Sequence, residues 1–191
     1  MSMNGMLHRA ILREIDRVEH LVQAQNPQAA RKHYEFLSGQ LHSHHELEDE
    51  YLWPLVETRT KDEKELATLS AMTGEHEQLH AALDQCDQDF AGSGDLPDDC
   101  LAHLGMLRLL AAAHFAHEEA DAEGLLVKYL SKEDLEAFHE ASRKVPNSML
   151  VFPWIADGGS PADQHVFDVL PGPVRLFVKP MMNRKYKAYF G

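Results

Sequence analysis

Residues 42–50 read HSHHELEDE, a stretch composed almost entirely of side chains that can ligate a metal ion. Within it, His44 and Glu48 are separated by three residues. Residues four apart on an α-helix lie on one face, about one turn or roughly 6 Å apart along the axis. The stretch therefore predicts a helix that presents an imidazole and a carboxylate on the same side.

The same spacing occurs in two further segments of the chain. It is found in EHEQLH at 75–80, as His76 and His80, and in HFAHEEAD at 114–121, as His114 and Glu118. An unpaired carboxylate on the buried side of a helix would be strongly destabilising, so it should be paired or bound to a metal. Three helices that each carry such a pair predict a metal cluster between helices.

The composition narrows the class of protein. The 191 residues include 31 acidic and 18 basic side chains, a formal charge of -13, whereas a nucleic-acid binder needs a basic surface. No run of about 20 apolar residues is present to span a membrane, and the two cysteines make no disulfide framework. The amphipathic, acid-containing N-terminus is unlike a signal peptide. A soluble, cytoplasmic protein is expected.

The apolar periodicity predicts an all-α fold. Apolar residues recur every three or four positions in four stretches separated by helix breakers: 3–24, 28–58, 62–90 and 97–130. The short connections between them favour antiparallel neighbours. We therefore expect an antiparallel up-down-up-down four-helix bundle over residues 1–130, followed by an extension over residues 131–191.

The C-terminal extension is expected to pack on the bundle. A helix is predicted at about 132–144 with Ser131 as its N-cap, and the Pro, Gly and Asp content of 145–173 predicts mostly loop, with one short helical piece near 161–170. Pro180 is expected to interrupt any long amphipathic helix in the basic, aromatic end. This end is interpreted as packing on the acidic bundle; the alternative is a docking segment for an acidic partner or a membrane surface.

Seven side chains on the seams of these helices form the candidate ligand set. They are His8, His44, Glu48, His76, His80, His114 and Glu118. Five imidazoles and two carboxylates are too many for one ion, and nitrogen and oxygen donors without thiolate suit non-haem iron. If both carboxylates and one oxo or hydroxo group bridge two octahedral ions, about eleven of roughly twelve positions are filled. The open position would accept a small molecule such as dioxygen.

Other histidines and tyrosines lie close to this set. His42, His45 and His117 are one or two positions off the seam. His42 is interpreted as solvated, whereas His45 and His117 are either donors that orient the carboxylates or solvated. Tyr34 and Tyr51 fall on the seam on either side of the second-helix pair. Each phenol either donates a hydrogen bond to a bound ligand or packs in the core.

The ordered set of His8, HHELEDEYLWP at 44–54, EHEQLH at 75–80 and HFAHEEAD at 114–121 resembles the hemerythrin family, specifically the hemerythrin-like HHE cation-binding domains of bacteria. The resemblance covers about residues 5–130. It implies a non-haem diiron centre in a four-helix bundle, with the seven side chains above as its ligands. The family includes oxygen carriers, sensors of oxygen or iron, and proteins linked to peroxide or nitric oxide handling.

One position departs from the oxygen-carrying hemerythrins, which have one more residue between the last histidine and an aspartate. This chain has His114 and Glu118, with Glu119 and Asp121 as nearby alternatives for the carboxylate. The identity of the fourth-helix carboxylate and the reversibility of oxygen binding are therefore open at this point.

Three functions are compatible with such a centre. The expected function is binding of a small diatomic ligand, dioxygen or nitric oxide, for storage or sensing. The alternative is a diiron enzyme that decomposes hydrogen peroxide or carries out another oxidation. A third hypothesis is structural: the metal holds the bundle together while the basic tail binds a partner.

Overall fold

The structure is a computed structural model that describes residues 2–191. Its α-helices are α1 (Met3–Gln23), α2 (Pro27–Tyr51), α3 (Trp53–Arg59), α4 (Glu63–Phe90), α5 (Cys100–His117), α6 (Glu123–Tyr129), α7 (Lys132–Ser142), α8 (Ser148–Ala156) and α9 (Gly172–Phe190). A π-helical turn (Glu118–Ala122) joins α5 to α6, and a 3-10 helix (Asp163–Val169) precedes α9. No β-strand occurs among these residues, which confirms the predicted all-α class.

Helices α1, α2, α4 and α5 form the bundle. They pack in a closed ring, with α1 against α2 and α5, and α4 against α2 and α5. The side chains of Asn26 and Asp62 accept hydrogen bonds from backbone N–H groups in the first turns of α2 and α4. These caps satisfy donors that a helix start leaves unpaired, and so mark where the chain re-enters the bundle. The predicted four-helix bundle is confirmed.

The helix predicted at 28–58 is divided in the structure. α2 ends before Leu52, and α3 begins at Trp53 with Pro54 in its first turn. Because proline has no backbone N–H, Pro54 cannot continue the hydrogen-bond ladder of α2, but it is tolerated at the start of a new helix. The break therefore follows directly after the ligand-type residues of α2.

The helix predicted at 97–130 begins at Cys100 and changes geometry part-way. At the π-helical turn, the backbone N–H of Glu123 donates to the carbonyl of Glu118, five residues earlier. Single π-helical turns inside α-helices occur frequently at functional sites. Here the turn starts at one of the predicted ligands.

The extension contains more helix than expected. α7 begins as predicted, because Ser131 and Asp134 form a capping box. The prediction of loop at 145–173 is wrong where α8 lies, since its apolar sequence, SMLVFPWIA, is stabilised by burial against the bundle. The expected interruption at Pro180 is also wrong, because α9 continues through it. No helix among residues 2–191 combines the length and the apolar character required to cross a bilayer.

Two apolar clusters fill the interior. The larger cluster contains seam residues of α1, α2, α4 and α5, together with Leu150, Trp154 and Ile155 of α8. The smaller cluster, at the other end of the bundle, is built from α3, the first half of α4 and α6, and includes Trp53 and Met72. Side chains of α8 thus complete a cluster that the bundle helices begin.

Trp154 links α8 to α1. Its indole Nε1–H donates to the carboxylate of Glu14 at 2.8 Å, and both side chains are buried. We expect Trp154→Phe to lower the free energy of unfolding by about 1.5–3 kcal/mol, because it removes a buried hydrogen bond to a charged group. Urea denaturation of the two proteins measures this difference.

Trp53→Phe is the matched control for that substitution. Trp53 is also buried, but its Nε1 has no hydrogen-bond partner among the described residues. The same change there removes no hydrogen bond, so we expect a clearly smaller loss. Equal losses at the two positions would contradict the role given to the bond between Trp154 and Glu14.

Candidate metal centre

A layer of polar side chains crosses the bundle between the two apolar clusters. Leu41 of α2 belongs to the larger cluster and Leu52, directly after α2, to the smaller one, and His44 and Glu48 lie between them. Along α5 the order is the same as along α2, and along the oppositely directed α4 it is reversed, with Met72 of the smaller cluster before His76 and Leu79 of the larger cluster after it. The polar residues of neighbouring helices therefore meet at one level. The buried members, each at most 6% exposed, are His8, His44, His45, Glu48, His76, His114 and Glu118.

Three donors converge on the α1 side of the layer. His8 Nε2 lies 3.1 Å from His44 Nε2 and 3.2 Å from Glu118 Oε2. The ring of His8 stacks on Phe115 with centroids 3.9 Å apart, which fixes its orientation. One donor atom from each of His8, His44 and Glu118 lies within 4.8 Å of the others. A single cation could contact all three.

A second group of donors forms on the α4 side. His76 Nε2 lies 3.2 Å from His114 Nε2. The ring of His45 stacks on that of His76, with centroids 4.3 Å apart and an interplanar angle of 22°. One nitrogen from each of these three histidines lies within 4.8 Å of the others. The layer therefore contains two groups of imidazoles rather than one.

The two buried carboxylates lie between these groups. Glu48 Oε1 is 3.5 Å from His44 Nδ1, and its Oε2 is 3.6 Å from His76 Nε2. Glu118 Oε2 is 3.2 Å from His8 Nε2 and 3.8 Å from His114 Nε2. Each carboxylate thus faces both groups of imidazoles, as a group shared between two cations would.

Three imidazoles are held from their outer sides by carboxylates. The pairs are His8 with Glu119, His76 with Asp49 and His114 with Glu75, each with Nδ1 2.9 Å from a carboxylate oxygen. A carboxylate accepts hydrogen bonds, so Nδ1–H is the donor in each pair. The lone pair of Nε2 then faces the layer, which is the arrangement that orients a metal-binding histidine.

Burial controls the charges inside the layer. It lowers the pKa of His44 to about 3, with the neighbouring His8 as the next cause, and it also lowers the pKa of His114. Burial, followed by the charge of Glu118, raises the pKa of Glu48 well above its usual value. These imidazoles are therefore neutral at neutral pH, as ligands must be, and a cation held by Glu48 would displace its proton.

The donor set fits a metal cation. The Oε2 atoms of Glu48 and Glu118 and both ring nitrogens of His45 are buried and have no hydrogen-bond partner among the described residues. Each unpaired buried polar group costs about 1–3 kcal/mol, and a cation would satisfy them together. Cys86 and Cys100 lie in the larger apolar cluster, so the donors of the layer are nitrogen and oxygen only.

The structure brings six of the seven predicted ligands together and leaves one apart. His80 is half-buried on α4 and joins neither group of converging donors. Its ring centroid is 5.7 Å from that of His45, which lies on the same side of the layer. Its role as a ligand remains a prediction.

His117, His42 and Tyr34, which were predicted to lie near the ligands, each contact a carboxylate. His117 Nδ1 lies 2.7 Å from Glu75, the carboxylate that also accepts a hydrogen bond from His114. His42 is partly exposed and faces Asp87. The hydroxyl of Tyr34 donates to Asp87 at 2.7 Å, and burial raises the pKa of Tyr34. Tyr34 thus forms a hydrogen bond with α4 outside the polar layer.

Several contributors to the layer were not identified from the sequence. Asp49 and Glu75 directly follow and precede predicted ligands, so adjacency to a ligand was the available signal. Glu119, considered as an alternative ligand, is 40% exposed and holds the outer nitrogen of His8. His45 is fully buried, which removes the solvated interpretation considered for it.

Comparison with known families assigns the chain. Residues 6–128 match the hemerythrin HHE cation binding domain, a range that contains every residue of the polar layer. Comparisons with curated proteins and with solved structures gave no match. With a match over well more than half of its length, the chain belongs to the family of hemerythrin HHE cation binding domains.

Proposed function

We propose that this chain is a non-haem diiron protein that binds a small diatomic ligand, dioxygen or nitric oxide, for storage or sensing. The observation that carries the proposal is the position of Glu48 and Glu118, whose oxygens each face both groups of imidazoles. Two-metal sites have cations about 3.5–4 Å apart, and carboxylates that face both groups of imidazoles would be placed to hold such a pair.

The donor chemistry supports iron as the cation. Calcium and magnesium prefer sites made of oxygen donors, and structural zinc sites commonly include thiolates. Imidazoles with carboxylates suit iron that keeps a position open for a small ligand. When bound, an iron pair would supply a redox-active centre at which such a ligand can bind.

The protein's own residues would position and shield this centre. Glu119, Asp49 and Glu75 fix the rings of three histidines from outside the layer. The apolar clusters above and below the layer exclude bulk water. Because the buried ligands are at most 6% exposed, a ligand that reaches them without opening the bundle must be small.

Gas binding to the reduced, iron-loaded protein tests the proposal. We expect the protein, reduced without oxygen and then exposed to nitric oxide or dioxygen, to form an adduct with at least one of them, seen by absorption and electron paramagnetic resonance. His8→Leu should abolish most of this signal, because it removes a donor from the α1 side of the layer.

His103→Leu is the control for that variant. His103 pairs with Asp89 and lies outside the polar layer, so its loss should leave the adduct unchanged. Failure of the wild-type protein to form an adduct with either gas would contradict the proposal. The same samples test the enzymatic alternative by consumption of hydrogen peroxide above that of free iron. This alternative is the weaker candidate, because Tyr34 donates to Asp87 and Tyr51 packs against the smaller apolar cluster.

A further inference from the structure

His45 is an unusual residue for a protein interior. It is fully buried, and neither ring nitrogen has a hydrogen-bond partner among the described residues. Buried polar groups in folded proteins are almost always hydrogen-bonded, and an exception calls for an explanation. An imidazole with two unpaired nitrogens would be poorly chosen as a packing residue, since an apolar side chain would avoid the cost.

The position of His45 on α2 directs its side chain towards α4. It follows His44 on α2, and adjacent helical residues differ in direction by about 100°. His44 therefore faces His8 on the α1 side, whereas His45 stacks on His76 of α4. One ring serves each group of donors.

His45 completes the second group of donors. Its nitrogen, with Nε2 of His76 and of His114, forms a set of three within 4.8 Å. His80, the histidine that the spacing of four assigns to this group, is half-buried and joins no such set, although its Nε2 is also buried without a hydrogen-bond partner among the described residues. Of the two candidate imidazoles, His45 and His80, it is therefore His45 whose nitrogen lies close to those of His76 and His114.

We propose that His45, rather than His80, is the third imidazole ligand of the cation on the α4 side. This inference rests on the proposed two-cation centre and specifies its second site. That site would then comprise His45, His76 and His114, with Glu48 and Glu118 shared with the first site.

The test compares His45→Leu with His80→Leu in the full-length protein. Each variant is loaded with iron and, separately, with cobalt(II), and the metal content per chain and the cobalt absorption bands are measured. We expect His45→Leu to lose one of two cations and to change the cobalt bands, and His80→Leu to retain both. Two cations retained in His45→Leu, or one lost in both variants, would overturn the inference.

The melting temperature of the cation-free proteins provides a second readout. Leucine has no buried polar atom to leave unpaired, so cation-free His45→Leu should melt at or above the wild-type temperature. The increase in melting temperature on adding the cation should shrink in this variant and remain in His80→Leu. A cation-free His45→Leu protein that melts well below wild type would indicate a structural role and overturn the inference.

Failure of the proposed function would be distinguishable from failure of this inference. A wild-type chain that binds only one cation would contradict the two-cation centre, and with it this assignment. A wild-type chain that binds two cations, both retained in His45→Leu, would contradict the assignment of His45 alone.

Discussion

Glu118→Gln should remove one of the two proposed cations and weaken the binding of the other. Glu118 Oε2 faces an imidazole of each group, so the loss of its charge affects both sites. Removing groups that only orient ligands commonly costs 10–100-fold in metal affinity, and loss of a shared ligand should cost at least about 100-fold. Metal analysis after equilibrium dialysis against iron measures the change.

The neighbouring carboxylates provide graded controls for Glu118→Gln. Asp121 is 61% exposed, and its ion-pair partner among residues 2–191 is His117, so Asp121→Asn should retain both cations. Glu119 holds the outer nitrogen of His8, so Glu119→Gln should weaken binding by about 10–100-fold without removing a site. If Glu119→Gln loses a cation while Glu118→Gln retains both, Glu119 is the fourth-helix carboxylate and the assignment is wrong.

Removal of the cations should lower the melting temperature by about 5–10 °C. A ligand that binds only the folded state at about 100 times its dissociation constant stabilises that state by about 2.7 kcal/mol. For a chain of this size, each kcal/mol shifts the melting temperature by about 2–4 °C. We expect a decrease in the melting temperature because the buried Oε2 atoms of Glu48 and Glu118 lack a hydrogen-bond partner in the described residues. Calorimetry before and after chelation measures the shift.

The double variant Glu48→Gln and Glu118→Gln serves as the control for chelation. It lacks the two shared carboxylates, so its melting temperature should not respond to a chelator. If the wild-type protein melts at the same temperature with and without the cations, the buried layer is not stabilised by them. That result would remove the hypothesis that the metal holds the bundle together.

The helices of the bundle were predictable because their seams have a regular period. The positions of His44 and Glu48 follow from that period, since the same stripe includes the buried Leu41 and Leu52. The helices of the C-terminal extension were less predictable. After Ser148, α8 has a proline-containing, apolar sequence without a polar face, so its burial in the larger cluster explains why it is a helix. α9 tolerates Pro180 in the same way, with Met182 and Tyr186 buried.

Sequence spacing alone did not predict which side chains of the candidate site are fully buried. A spacing of four places residues on one face but does not require both to reach the same depth, because four residues turn a helix by about 40° more than one revolution. His76 points into the layer, whereas His80 remains half-buried. The burial of His45 depends on how α2 rotates against α4, and a single sequence does not specify that rotation.

Mössbauer spectroscopy of the protein loaded with iron-57, together with its iron content, tests the central claim most directly. The account predicts about two irons per chain that are magnetically coupled in the oxidised state, because Glu48 and Glu118 each face both groups of imidazoles. One iron per chain, or two without coupling, would contradict a centre bridged by these carboxylates.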